Sequence, residues 1–158
     1  MVPVKTLEAD HSMRGKKFVI VASKFNEFIT QRLLVACLKE LSRLGVPESN
    51  ITVAWVPGSF ELPVAAKTMA MKKTVHAVIC LGCVIRGETY HFELIAENAA
   101  RGIMEVSLQT GKPVIFGVLT PDSLDQANKR SEVKGDNKGR DAAQAAVEMA
   151  NLISKIKA

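Results

Sequence analysis

Two rhythms of apolar residues alternate along the chain. Lys17–Ser23, Ile51–Val56, Ala77–Val84 and Val114–Leu119 are short runs, mostly β-branched and apolar, of the kind that form strands buried on both faces. Between them the apolar residues recur at spacings of three and four. From Asn26 onward, Phe28, Ile29, Leu33, Leu34, Cys37, Leu38, Leu41 and Leu44 mark one face of a helix that Gly45 and Pro47 stop. Further helices are predicted over Leu62–Lys73, with Pro63 in the first turn, over Phe92–Thr110, and over Leu124–Arg130. A last one covers Arg140–Ile156, with Ala143, Ala146, Val147, Ala150 and Ile153 on one side.

Strand followed by helix, four times over, predicts an α/β fold. The expected form is a three-layer α/β/α sandwich around a four-stranded parallel sheet, flavodoxin-like in plan. No linker, repeat or low-complexity segment interrupts it, so residues 1–158 read as a single domain, with residues 1–16 as an N-terminal arm. Ligands of such sheets bind beyond the carboxyl ends of the strands. That rule selects Lys24-Phe25-Asn26, Pro57 to Glu61, Arg86 to His91, and Thr120-Pro121. None of these carries a dinucleotide fingerprint or a phosphate-loop lysine, and Gly58-Ser59-Phe60-Glu61-Leu62 lacks the second glycine of a nucleophile elbow.

Composition narrows the class. Of the 158 residues 47% are hydrophobic and 23% charged, and no apolar run approaches the roughly 18 residues of a membrane span. The first residues lack a signal-peptide core, so the expected location is cytoplasmic, with no membrane partner. The net charge of +5 is spread among acids, and 6 Phe, 1 Trp and 1 Tyr offer no run of stacking platforms. No nucleic-acid partner is expected. A local excess around Arg130, Lys134, Lys138 and Arg140 suits a small anion better. Cys37, Cys80 and Cys83 make an odd count, as reduced thiols do. Cys80 and Cys83 have the spacing of a redox or zinc pair, but strand alternation sends them to opposite faces. Neither a metal nor a cofactor is expected.

Several residues at the strand ends admit two readings each. Phe25 stacks on a flat heterocycle or staples the following helix, the staple being favoured on position alone. Ser59 and Glu61 hydrogen-bond a polyol or start a helix. Gly87 and the helix start behind it suit a phosphate, while Arg86 adds charge there or is simply solvated. Thr89 caps that helix or donates to a ligand. His91 carries the side chain that exchanges protons most readily near neutral pH, or is structural. Phe116, within a strand, reads as core, and Arg130 as a surface charge.

Five segments in order change this balance. They are Ser23-Lys24-Phe25-Asn26, Val56-Pro57-Gly58-Ser59-Phe60-Glu61-Leu62-Pro63, Leu81 to Phe92, Pro113 to Thr120, and Asp136-Asn137-Lys138-Gly139. Each stands at or beside a strand end, and together they resemble the signature blocks of lumazine synthases from about Lys17 to the C-terminus. The resemblance implies condensation of 5-amino-6-(D-ribitylamino)uracil with 3,4-dihydroxy-2-butanone 4-phosphate, the penultimate step of riboflavin biosynthesis. It implies that Phe25 stacks on the pyrimidine and that Ser59, Phe60 and Glu61 hold or flank the ribityl chain. Cys83, Val84 and Ile85 are then pocket lining, Glu88 and Thr89 contact the phosphate-bearing substrate, and His91 carries protons. Phe116 and Arg130 come from a neighbouring subunit, Arg130 gripping the phosphate, with Lys138 near the substrate and Asp141 orienting the histidine.

A homo-oligomer follows from that division: a pentamer with shared sites, which in many relatives builds an icosahedral 60-mer capsid. The stretch Val2 to Leu7 is expected to add an edge strand to a neighbour. Ser131-Glu132-Val133 departs from the Ala-Gly-Thr of many relatives, which leaves that loop's conformation open. Two other classes share the topology, a flavodoxin-like flavin-binding module and a shell-forming structural protein. The first lacks its hydroxyl- and glycine-rich loop after the first strand.

Overall fold

The strands most apolar on both faces occupy the middle of the sheet. β1 (Phe18–Ser23) and β3 (Ala77–Cys83) are buried at every position, and β2 (Ile51–Val56) and β4 (Val114–Leu119) flank them in the order β2-β1-β3-β4. All pairings are parallel, with Phe18 facing Ile51 on one side and Ala77 on the other, and Cys80 facing Phe116 across β3 and β4. The computed structural model describes residues 2–158 apart from His11 and Arg14.

Helices cover both faces, because each face is apolar and must be buried. On one, α1 (Glu27–Arg43) and α5 (Lys138–Lys157) bury Leu33, Leu41, Ala143 and Val147 against Ile20, Ile79 and Leu81. The short α4 (Leu124–Ser131) adds Ala127 to the same cluster. On the other, α2 (Leu62–Ala70) and α3 (His91–Thr110) bury Leu62, Phe92 and Ile103 against Val19, Val21, Val78 and Cys80. The α/β/α sandwich is therefore as expected. Cys80 and Cys83 do fall in opposite clusters.

Local chemistry explains where element ends differ from the periodicity. α2 stops at Ala70, short of Lys73, because a turn with Lys72 N–H donating to Met69 O (3.1 Å) swings Val75 into the core. α5 begins at Lys138 because the Asn137 side chain accepts from Gly139 N–H at 2.8 Å. Gly139, expected in a loop, is thus helical. A Cβ there would stand 2.0 Å from the Leu33 carbonyl oxygen, so only glycine lets α5 lie this close to α1.

The expected arm divides in two. Val2 and Val4 are exposed, but from Glu8 the chain lies on α5. Lys155 Nζ donates to Glu8 O (2.6 Å) and pairs with Asp10 (3.2 Å), and Met13 enters the core. No helix among the described residues is long and apolar enough to cross a membrane.

Candidate active site

Beyond the carboxyl ends of β1 and β2 lies a cavity of about 810 Å³ lined by Phe25, Ser59, Phe60, Glu61, Val84 and His91, with Leu94, Ile95 and Asn98 of α3 as its wall. The backbone brings these segments together. Lys24 N–H donates to Val56 O (2.8 Å) and Phe25 N–H to Pro57 O (3.1 Å), so the β1 and β2 exits run side by side. Asn26, the one described non-glycine residue with positive φ (55°), turns the chain into α1. Its side-chain amide donates to Cys83 O at 2.8 Å, tying the Phe25 loop to the end of β3. Ser59–Glu61 is a single 3-10 turn leading into α2.

Phe25 is 65% and Phe60 59% exposed, far too open for core residues. That overturns the preferred positional reading of Phe25 as a helix staple, which would have buried the ring. Exposed aromatic faces at the rim of a cavity are platforms for a flat ligand. His91 is the first residue of α3 and lies exposed on the cavity wall; its backbone N–H donates to Thr89 Oγ1 at 3.4 Å.

A second cavity, about 500 Å³, lies on the opposite side of β3, beyond the edge strand β4. Phe116, Arg130, Lys138 and Asp141 line it, with Gln126 and the Thr120-Pro121 turn. Phe116, expected as core on pattern alone, is 45% exposed, because β4 is an edge strand. Lys138 donates to Asp136 (3.1 Å) and Asp141 (3.0 Å), and these carboxylates hold its ammonium above the ordinary lysine range. Asp141 thus bonds Lys138 and does not line the cavity of its own chain's His91.

The remaining expected residues fall outside both cavities. The Cys83 side chain is wholly buried on the α1–α5 face, and burial pushes its thiol up to about 12. Ile85 is half-buried against the same cluster. Glu88 and Thr89 are exposed on the loop leading into α3. Arg86 is neither free for an anion nor merely solvated. It donates to Asp122 (2.7 Å) and pairs with Glu93, two carboxylates that raise its already high pKa, and it lies 4.5 Å above the Phe92 ring.

The Ser131-Glu132-Val133 segment is well held. Ser131 ends α4 with its hydroxyl donating to Ala127 O (2.9 Å), Asn137 Nδ2 donates to Ser131 O (2.9 Å), and Arg140 donates to Gly135 O (3.1 Å) and Val133 O (3.2 Å). Pattern reading had no means to find Leu94, Ile95 and Asn98. Their only signal is their spacing along α3 one and two turns after His91.

The family model described as 6,7-dimethyl-8-ribityllumazine synthase matches residues 15–154. Two proteins of Clostridium kluyveri named 6,7-dimethyl-8-ribityllumazine synthase are each 48% identical over 153 residues, covering 97% of this chain and 99% of theirs. The chain belongs to the 6,7-dimethyl-8-ribityllumazine synthase family.

Proposed function

We propose that this chain, as a single domain with an arm at residues 1–16, is the transferase that makes 6,7-dimethyl-8-ribityllumazine in riboflavin biosynthesis. It condenses 5-amino-6-(D-ribitylamino)uracil with 3,4-dihydroxy-2-butanone 4-phosphate and releases phosphate and water. The observation that carries the reading is the pairing of two unlike cavities in a member of this family. One has aromatic platforms and an imidazole; the other has an aromatic ring and cations, on the far side of the sheet's midline.

In this reading Phe25 and Phe60 flank the pyrimidine, and Ser59 and Glu61 hold the ribityl chain. Val84 lines the floor, with Cys83 and Ile85 acting through the backbone behind it. The amine attacks the ketone and expels one water to form an imine, phosphate leaves by elimination, and ring closure expels a second water. Each step moves a proton between nitrogen, carbon and oxygen, work for one imidazole at the rim, that of His91. Arg130 grips the phosphate, supported by Lys138 and by donors of the Glu88-Thr89 loop at the start of α3. Holding both substrates face to face supplies much of the acceleration without a covalent intermediate on the protein.

The two cavities are halves of different sites. A neighbouring copy brings its Phe116, Arg130 and Lys138 to the His91 cavity, and a heterologous contact of this kind closes into a ring. The ring has five members, with the exposed Val2–Leu7 arm reaching the next copy, and twelve such rings build a 60-mer shell in the cytoplasm. Incubation of the purified chain with both substrates tests the activity: lumazine and one equivalent of phosphate are expected, and neither product would refute it. Native mass spectrometry checks the ring.

A further inference from the structure

Two buried hydroxyls meet at the root of the pyrimidine cavity. Ser23, the last residue of β1, is 0% exposed, and Ser59, the first residue of the turn after β2, is 4% exposed. Among the described residues these are the only buried side-chain polar atoms without a hydrogen-bond partner. Both lean over Gly82 of β3. A Cβ there would stand 2.7 Å from Ser23 Oγ and 2.8 Å from Ser59 Oγ, so the two oxygens share the small space that the glycine leaves.

An unpaired buried hydroxyl is costly, and alanine would fill either position without that cost. Buried polar groups kept unsatisfied call for an explanation in function. Their places in the chain supply one. Ser23 directly precedes Lys24-Phe25, and Ser59 directly precedes Phe60-Glu61, so each hydroxyl stands at the base of one wall of the cavity. The turn carrying Ser59 is a single 3-10 turn, closed by Glu61 N–H donating to Gly58 O at 3.2 Å and by Leu62 N–H donating to Ser59 O. Both oxygens already stand against Gly82, so an inward movement of that turn with rotation of the hydroxyls would bring them together.

We propose that Ser23 is a positioning residue for the pyrimidine substrate: its hydroxyl bonds that of Ser59 over Gly82 when the ligand is bound, drawing the Ser59–Glu61 turn towards Phe25. The inference rests on the reading of this cavity as the pyrimidine site. Substrate binding then satisfies two polar groups that the free protein leaves unpaired, and part of the binding preference is built beneath the ligand. Gly82 is the condition for this arrangement.

Ser23→Ala tests it, in the assembled protein with both substrates. The KM for ribitylaminouracil should rise about three- to tenfold, as for loss of one buried hydrogen bond, with kcat and the KM of the phosphate-bearing substrate near those of the parent. The melting temperature should not fall, since the residue removed is unpaired in the free protein. Adding Ser59→Ala should weaken pyrimidine binding by a smaller factor in the Ser23→Ala background than in the parent, the remainder being Ser59's own contact with the ribityl chain. Hydrogen exchange at the Phe60 and Glu61 amides should slow on adding ribitylaminouracil to the parent and not to Ser23→Ala. An unchanged pyrimidine KM, additive effects of the two substitutions, or a fall in stability with equal losses for both substrates would overturn the proposal. A parent protein that makes no lumazine would overturn the reading beneath it as well, whereas an active parent with an indifferent Ser23→Ala sinks the positioning role alone.

Discussion

Mixing two inactive variants separates a shared site from a self-contained one. His91→Ala removes the imidazole of the first cavity and Arg130→Ala the guanidinium of the second, and the two residues line different cavities of one chain. Assayed at low substrate, each variant alone should lose about ten- to a hundredfold or more in rate. In a closed ring assembled from equal amounts of both, each site takes its histidine from one copy and its arginine from the next. A site is intact only when the first is an Arg130→Ala chain and the second a His91→Ala chain, so random assembly restores roughly a quarter of the sites. This fraction does not depend on ring size. The variants are unfolded together in denaturant, refolded together, and assayed by lumazine formation per chain, with each variant refolded alone as the control. Recovery near a quarter of the parent rate is expected. A mixture no more active than the mean of its components would mean that both residues serve one site from the same chain, and the shared-site reasoning would fall.

Arg130→Ala should raise the KM of the phosphate-bearing substrate about ten- to a hundredfold while leaving that of the pyrimidine nearly unchanged, as steady-state kinetics would report; equal rises would remove Arg130 from the phosphate. Burial pushes the thiols of Cys37, Cys80 and Cys83 up to about 12. A disulfide-exchange reagent at neutral pH should therefore label none of the three in the native protein and all three in denaturant, and fast native labelling would contradict their burial. Glu40, buried on α1, accepts from Arg43 (2.9 Å) and Gln144 (2.8 Å), and these partners, Arg43 foremost, hold its pKa at about 2 against burial. A carboxylate depressed in the folded state stabilises it above the ordinary carboxylate range and loses that contribution as pH falls towards 2. Because Arg43 is largely exposed to solvent, Glu40→Gln should cost about 1 kcal/mol in urea unfolding at pH 7, with the gap to the parent closing on acidification; a gap constant with pH would refute the linkage.

The layers and the four strands were legible because the apolar periods are unambiguous, and the strand ends followed from the rule for parallel sheets. Position along the sheet was not legible. Phe116 belongs to a run as apolar as the central strands, and only the order β2-β1-β3-β4 makes it an exposed ring on an edge. Arg86 illustrates a second limit: its partners Asp122 and Glu93 come from a different loop and from the following helix, so its commitment to ion pairs has no local sign. Gly139 and Gly82 look alike in sequence, yet one admits a helix and the other two hydroxyls. The candidate residues emerged as a set chiefly through resemblance to a family, since His91, Ser59 and Arg130 each have an ordinary structural reading when taken singly.

The contact at Gly139 has a consequence for geometry on a larger scale. α1 starts beside the Phe25 loop and the first turn of α5 carries Lys138 and Asp141, so the helix pair links one cavity to the other. In the proposed ring a subunit is a wedge whose two flanks carry those half-sites, and the angle between flanks decides how many copies meet after one full revolution. Backbone resting on backbone leaves no side chain to compress or reorient at that joint. In such a ring the curvature would be set within the protomer, before any neighbour arrives. Bulk added at residue 139 would pry the flanks apart, altering how many wedges complete the circle as well as how firmly they adhere.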